Sequence, residues 1–211
     1  LVCAEAGVGK SRLFEAFEES VSAEQMTHLS GRASAYHINS ALWPVSQLIK
    51  QLPGLEPAEP SRQLMGLETL VDRFDLKRED SVPFLADLTG LTLDSKYPPF
   101  EGTPERRKQR TLAAVVDVIF GLADEQPTLV VVEDLHWIDA STLDLISQLI
   151  GELASSQLML VLTYRPRFTP PWRIRAGVSQ FTLGHLHGEE TRRLVEHVAG
   201  IRISAEVVSH I

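Results

Sequence analysis

The sequence predicts an α/β protein built on a parallel sheet with helices on both of its faces. Three observations predict it: apolar β-branched runs suited to buried strands, helical apolar periodicity between them, and acidic or glycine-bearing turns where those runs end. The chain has 211 residues and 23.4 kDa, with 44% hydrophobic and 23% charged residues, enough for a sizeable core.

Leu1–Ala4 reads as the end of a buried strand, and Glu5–Ser11 as a loop. From Ser11 onward Leu13, Phe14, Phe17 and Val21 recur at helical spacing. Met26–Ala33 follows as a second strand. Ala41–Leu52 reads as a helix closed by Pro53-Gly54, and Pro53–Pro60 as a loop. Leu64–Phe74 and Val82–Leu88 are expected as short helices of an insertion spanning about 41–100, which Tyr97-Pro98-Pro99 breaks. Thr103-Pro104-Glu105 carries a capping hydroxyl, a proline suited to a first turn and an acid, so a helix should start there. Its apolar face is Leu112, Val115, Val116, Ile119 and Leu122.

Thr128–Val132 is a strand buried on both faces. Asp139 caps the next helix, with Leu143, Ile146, Leu149, Ile150 and Leu153 facing inward. Leu158–Thr163 is a further strand and Gln180–Leu183 a last one. Glu189–Val198 and Ser204–Ile211 read as more polar helices. Residues 1–184 thus form the core unit.

The phosphate-binding signal is Ala4-Glu5-Ala6-Gly7-Val8-Gly9-Lys10-Ser11, a Walker A pattern with alanine at its first position. A tight loop between a strand and a helix turns successive backbone N–H groups inward at the positive end of the helix. Gly7 and Gly9 permit the backbone geometry and the close approach of phosphate. Lys10 is expected on the β- and γ-phosphates, and the Ser11 hydroxyl on Mg²⁺. Leu129-Val130-Val131-Val132-Glu133-Asp134 has the Walker B form: four apolar residues, then two acids. Ligands of a parallel sheet lie at its carboxyl edge. Glu133 is therefore expected in the Mg²⁺ shell and Asp134 at the attacking water, with the two roles open to exchange. Together the motifs describe a P-loop NTPase of the AAA-like branch, a three-layer α/β sandwich.

Arg165 leaves the Leu158–Thr163 strand, where a guanidinium would sense a γ-phosphate. His136 and Trp137 are expected to pack and hydrogen-bond beneath the site, since no second ligand lies at zinc-like spacing. Arg106, Arg107, Lys108 and Arg110 are expected on a solvated helix face.

The formal net charge of −8 and pI near 5.4 disfavour a general nucleic-acid binder. A lone cysteine, Cys3, suits a reduced, cytoplasmic setting, and no apolar run is long enough for a membrane span. There is no secretory signal pattern. A first residue other than methionine, and a last stretch that reads as helix, lead to the expectation of a section cut from a longer chain.

Glu5–Arg12, Glu133-Asp134-Leu135-His136-Trp137-Ile138-Asp139 and Thr163-Tyr164-Arg165-Pro166 resemble the AAA-type ATPase module of STAND signal-transduction NTPases, the origin-recognition-complex-like AAA ATPase domain. The resemblance extends through Gly31–Pro44, Tyr97–Arg110 and the polar helix from Gly188. It is closest to the module in bacterial adenylate/guanylate cyclase-like proteins; LuxR-type transcription regulators and some serine/threonine kinases share it. The resemblance implies ATP rather than GTP, with Arg12 included in the phosphate-loop set. It also implies that residues 185–211 begin a helical lid, and that slow hydrolysis moves this lid and so alters a covalently linked output domain. A non-hydrolysing nucleotide-binding module is the main alternative. A nucleic-acid-associated ATPase is disfavoured by charge, and a small-molecule kinase by the lack of an acceptor site.

Overall fold

The computed structural model of the chain describes residues 1–21, 26–57, 59–93, 95–173, 177–186, 188, 190, 192–194 and 196. Five strands form one sheet: β1 (Val2–Ala4), β2 (Thr27–Arg32), β3 (Thr128–Glu133), β4 (Leu158–Tyr164) and β5 (Phe181–Leu183). Their order across the sheet is β2-β3-β4-β1-β5, and every pairing is parallel. The three central strands are the apolar ones, because a parallel sheet flanked by helices leaves its middle no polar face. The α/β parallel-sheet expectation is met.

Helices connect and cover the strands, among the described residues α1 (Lys10–Val21), α2 (Trp43–Ile49), α3 (Pro60–Arg73), α4 (Arg78–Thr89), α5 (Pro104–Glu125) and α6 (Ala140–Glu152). Side chains alternate across the sheet with period two. Cys3, Leu29, Val130, Val132, Leu162 and Tyr164 point into the main core with the apolar residues of α2 to α6. Val2, Leu129, Val131 and Val161 point the other way and meet Phe14 and Phe17 of α1.

Several boundaries differ from the sequence expectation. α2 is shorter than Ala41–Leu52, because Leu42 takes a left-handed conformation (φ 59°) just before it. α3 and α4 are longer than expected, α3 starting on Pro60 and α4 carrying Pro83 in its interior. On α1, Phe14 is buried but Leu13 is exposed. The inner face of α6 is Thr142, Leu145, Ile146, Leu149 and Ile150, whereas Leu143 and Leu153 are only half-buried. The lid expectation for 185–211, including helices at Glu189–Val198 and Ser204–Ile211, falls largely outside the described residues.

The outer edge of β2 is covered by side chains of α2 and of the turn that follows it. Gln51, in that turn, accepts from Ser30 N–H (2.9 Å) and donates to Ser30 C=O (2.6 Å); Gln47 of α2 donates to Arg32 C=O (3.1 Å) and accepts from its N–H (3.4 Å). These two amides thus satisfy backbone groups that an edge strand otherwise leaves unpaired. Their reach depends on Gly31, whose backbone lies against the carbonyl of Pro44.

The insertion helices are pinned by charge. Glu68, buried on α3, accepts from the Tyr97 hydroxyl (2.8 Å) and pairs with Lys96 (2.6 Å) and Arg78 (3.4 Å). Burial alone would raise its carboxyl pKa. The hydrogen bonds from Lys96 and Tyr97 and the charges of Lys96 and Arg78 outweigh that and hold it below the ordinary glutamate value. The basic cluster on α5 is exposed as expected, yet it bridges helices: Arg107 pairs with Asp87, Lys108 with Asp144, and Arg110 with Asp80. Among the described residues, no helix is long and apolar enough to cross a membrane.

Candidate nucleotide site

All five strands run the same way, so the segments leaving β1, β3 and β4 emerge at one edge of the sheet. That edge collects the Walker A loop, the acid pair and Arg165 around the middle of the strand order. A cavity of about 980 Å³ lies elsewhere. Leu13, Phe17, Leu158, Met159 and Phe181 line it, on the α1 face toward the strand starts. It lacks the converging charged groups that a nucleotide requires, so chemistry places the site at the strand ends instead.

Ala4 ends β1 almost fully buried, which leaves no room for a larger residue. Glu5, Ala6, Gly7, Val8 and Gly9 form the loop, and α1 begins at Lys10, one residue before the expected start. Gly7 and Gly9 have φ of 81° and 99°, a region L-residues rarely adopt, and a Cβ at either would meet open space. The loop is therefore a free backbone concavity at a helix start, the shape an anion needs. Lys10 reaches across its own loop and donates from Nζ to the carbonyls of Ala4 (2.9 Å) and Glu5 (3.0 Å). Ser11 is exposed on the first turn of α1. Arg12 turns along the helix to pair with Glu15 at 3.2 Å, with both side chains largely exposed.

Glu133 is the last residue of β3, one beyond the expected strand end. Asp134 takes a left-handed conformation (φ 60°, ψ 42°), which breaks the strand and starts a 3₁₀ turn over Leu135–Trp137. Its N–H donates to the hydroxyl of Thr163 on β4 at 3.1 Å, tying the acid segment to the neighbouring strand. Asp139 caps α6, accepting from the backbone of Ser141 and Thr142 as the sequence predicts.

Two contributors escape sequence reasoning. Arg32, at the end of β2, lies in register with Glu133. Its guanidinium pairs with both acids, Nη2 to Glu133 at 3.3 Å and Nε to Asp134 at 3.2 Å. Thr163 is the other. A basic residue at a strand's carboxyl end was the available signal for Arg32, but only the register of β2 on β3 gives it meaning.

Arg165 follows β4 directly and is half-buried, with its Nε buried and lacking a hydrogen-bond partner in the protein. Arg167 lies over the Trp137 ring, 4.8 Å from its centroid. His136 packs beneath the acids as expected, but the expected hydrogen bonding is not found: neither ring nitrogen has a partner. Burial holds its imidazole pKa below the ordinary range. Arg165, Arg167 and Lys10 push the same way, and Asp134 opposes them.

These residues fit a magnesium–nucleotide complex. The glycine cradle is open, Lys10 and Arg165 are cationic, and Ser11 with the two carboxylates supplies hard oxygen donors. Among the described residues there is no cluster of three or more His, Cys, Asp or Glu side chains able to hold a metal ion alone.

An uncharacterized protein of Rhizobium meliloti (strain 1021) is 26% identical over 204 residues, covering 93% of this chain but only 19% of its own length. The chain therefore spans about a fifth of that relative. The sequence profile of the AAA ATPase domain matches residues 1–162, from the buried start of β1 through both acidic and phosphate-loop motifs to β4. With that profile covering more than half of the chain, on a parallel sheet that gathers the same motifs at one edge, the chain belongs to the AAA ATPase domain family.

Proposed function

We propose that this domain binds ATP–Mg²⁺, hydrolyses it slowly, and uses the cycle to switch a covalently linked output domain of cyclase or transcription-regulator type. The observation that carries the reading is the convergence of an open glycine cradle, a lysine and an acid pair at the carboxyl edge of one parallel sheet. Backbone N–H groups of Glu5–Lys10 and the start of α1 would hold the phosphates, with Arg12 at the loop's outer rim. Lys10 would leave the Ala4 and Glu5 carbonyls for the β- and γ-phosphates, the Ser11 hydroxyl would ligate the ion, and Arg165 would face the γ-phosphate. Glu133 and Asp134 divide the remaining work: one carboxylate in the ion's shell, the other orienting a water and taking its proton. When bound, Mg²⁺ neutralises charge on the transferring phosphoryl group.

Arg32 favours a slow enzyme. Both acids are engaged by one guanidinium, so their release precedes chemistry. The same contact also suits the second reading, a module that binds nucleotide without hydrolysing it.

The test is thermal melting and phosphate release by the full-length protein, with and without ATP–Mg²⁺, in wild type and Lys10→Ala. Nucleotide at a hundred times its Kd should stabilise wild type by about 2.7 kcal/mol, and the variant hardly at all. Stabilisation without phosphate release selects the second reading. No stabilisation of the wild type refutes both.

A further inference from the structure

His136 is an unusual residue to bury. Its side chain is 1% exposed, and both ring nitrogens lack a hydrogen-bond partner. Packing alone would be better served by leucine or phenylalanine, because a buried polar ring without a partner forfeits the bonds it makes in water. The ring is fixed by its surroundings. It belongs to the 3₁₀ turn Leu135–Trp137, anchored by fully buried Leu135, and lies tilted against Trp137 at 5.2 Å, with Arg167 over that indole.

A carboxylate lies close by: Oδ1 of Asp134 is 4.0 Å from Nδ1. That is too long for a hydrogen bond, and about 1 Å of movement would make it one. Asp134 is held off by its other oxygen, which pairs with Arg32 at 3.2 Å. Arg32 is itself 54% exposed, so that pair is the weaker anchor. The backbone of Asp134 is tied to Thr163, so its side chain alone can make the exchange.

We propose that His136 is a positioning residue for Asp134: when the carboxylate leaves Arg32 on nucleotide binding, Nδ1–H of His136 donates to it and fixes its orientation. This rests on the nucleotide reading above. The ring touches neither phosphate nor ion. Of the two acids, Asp134 is the one in the ion's shell, and His136 sets the direction in which it presents its oxygens, as outer-shell donors do at metal sites.

The experiment uses the full-length protein with a fluorescent ATP analogue, titrated in EDTA and in Mg²⁺, alongside melting without nucleotide. Three variants are compared: His136→Phe, which keeps a ring without a donor; His136→Asn, whose amide nitrogen falls near the Nδ1 position; and His136→Gln, whose amide falls nearer Nε2. The phenylalanine variant should melt at or above wild type and bind nucleotide in EDTA as wild type does. Its Mg²⁺-dependent gain in affinity should fall by about 10-fold or more. Asparagine should restore that gain to within about 3-fold, and glutamine should not. A wild-type Mg²⁺ response in the phenylalanine variant overturns the proposal while leaving the nucleotide reading intact. Glutamine equal to or better than asparagine also overturns it, and this comparison stands even if the phenylalanine protein does not fold. Absence of nucleotide binding by wild type would overturn both.

Discussion

Replacing Gly31 with alanine tests the joint between β2 and α2. A Cβ at this position would lie 2.5 Å from the Pro44 carbonyl oxygen, 3.2 Å from its carbon and 3.3 Å from Leu48 Cδ2. The first contact is against backbone, so relief requires α2 to move away by roughly 0.7–1 Å, or β2 to bend. Overpacking of this kind costs about 1–3 kcal/mol. The same displacement stretches the four hydrogen bonds from Gln47 and Gln51 to the strand edge. Losing half of them adds about 1–2 kcal/mol. The expected total is about 2–5 kcal/mol, measured as a lowered urea midpoint with an unchanged slope. Trp43, at the start of α2 and stacked on His37 at 3.7 Å, provides a fluorescence signal close to the perturbation. A midpoint within error of wild type would refute the reasoning, because β2 and α2 would then tolerate a separation that their hydrogen bonds forbid.

Two further substitutions probe the rest of the frame. Asp139→Ala removes the cap that accepts from Ser141 and Thr142, and should lower stability by about 1–2 kcal/mol in the same urea titration, with Asn restoring most of it. Glu68→Gln should destabilise at neutral pH by about 1.5–3 kcal/mol through loss of charge-assisted hydrogen bonds. Because the folded carboxyl titrates below its ordinary value, its contribution is present above the unfolded value and disappears as pH falls through the folded one. Stability measured from neutral pH down through the carboxylate range should therefore decline less in the variant than in wild type, and parallel curves would refute the assignment.

The central strands were legible because burial on both faces demands uninterrupted apolar residues, and Thr128–Val132 and Leu158–Thr163 have little else. The phosphate loop was legible for the opposite reason: it is local, and its glycines and lysine act within eight residues of chain. What stayed hidden is long-range. Arg32 becomes part of the acid pair only through a register 101 residues away, and Gln47 and Gln51 read as ordinary polar helix positions until α2 is set against an edge strand. The same holds for Lys108 and Arg110, whose partners lie on other helices. Helix ends in the insertion were blurred by proline, which opens α3 at Pro60 but sits inside α4 at Pro83. For His136 both packing and hydrogen bonding were expected; the packing is found, and the lack of hydrogen-bond partners among the described residues is a property of the assembled turn.

The strand order also sets a timetable for folding. β1 pairs only with β4 and β5, so the strand that carries the phosphate loop has no hydrogen-bonded neighbour until residues beyond Leu158 are in place. β2 and β3, adjacent in the sheet, are separated by four helices of intervening chain. Contacts this distant in sequence slow folding, since the closure of large loops precedes the gain from pairing. On a growing polypeptide this loop is thus made well before the strands that β1 pairs with, and finds its place only after them. Until then its apolar strand is a binding target for chaperones, and a point at which synthesis cut short leaves a chain unable to hold phosphate.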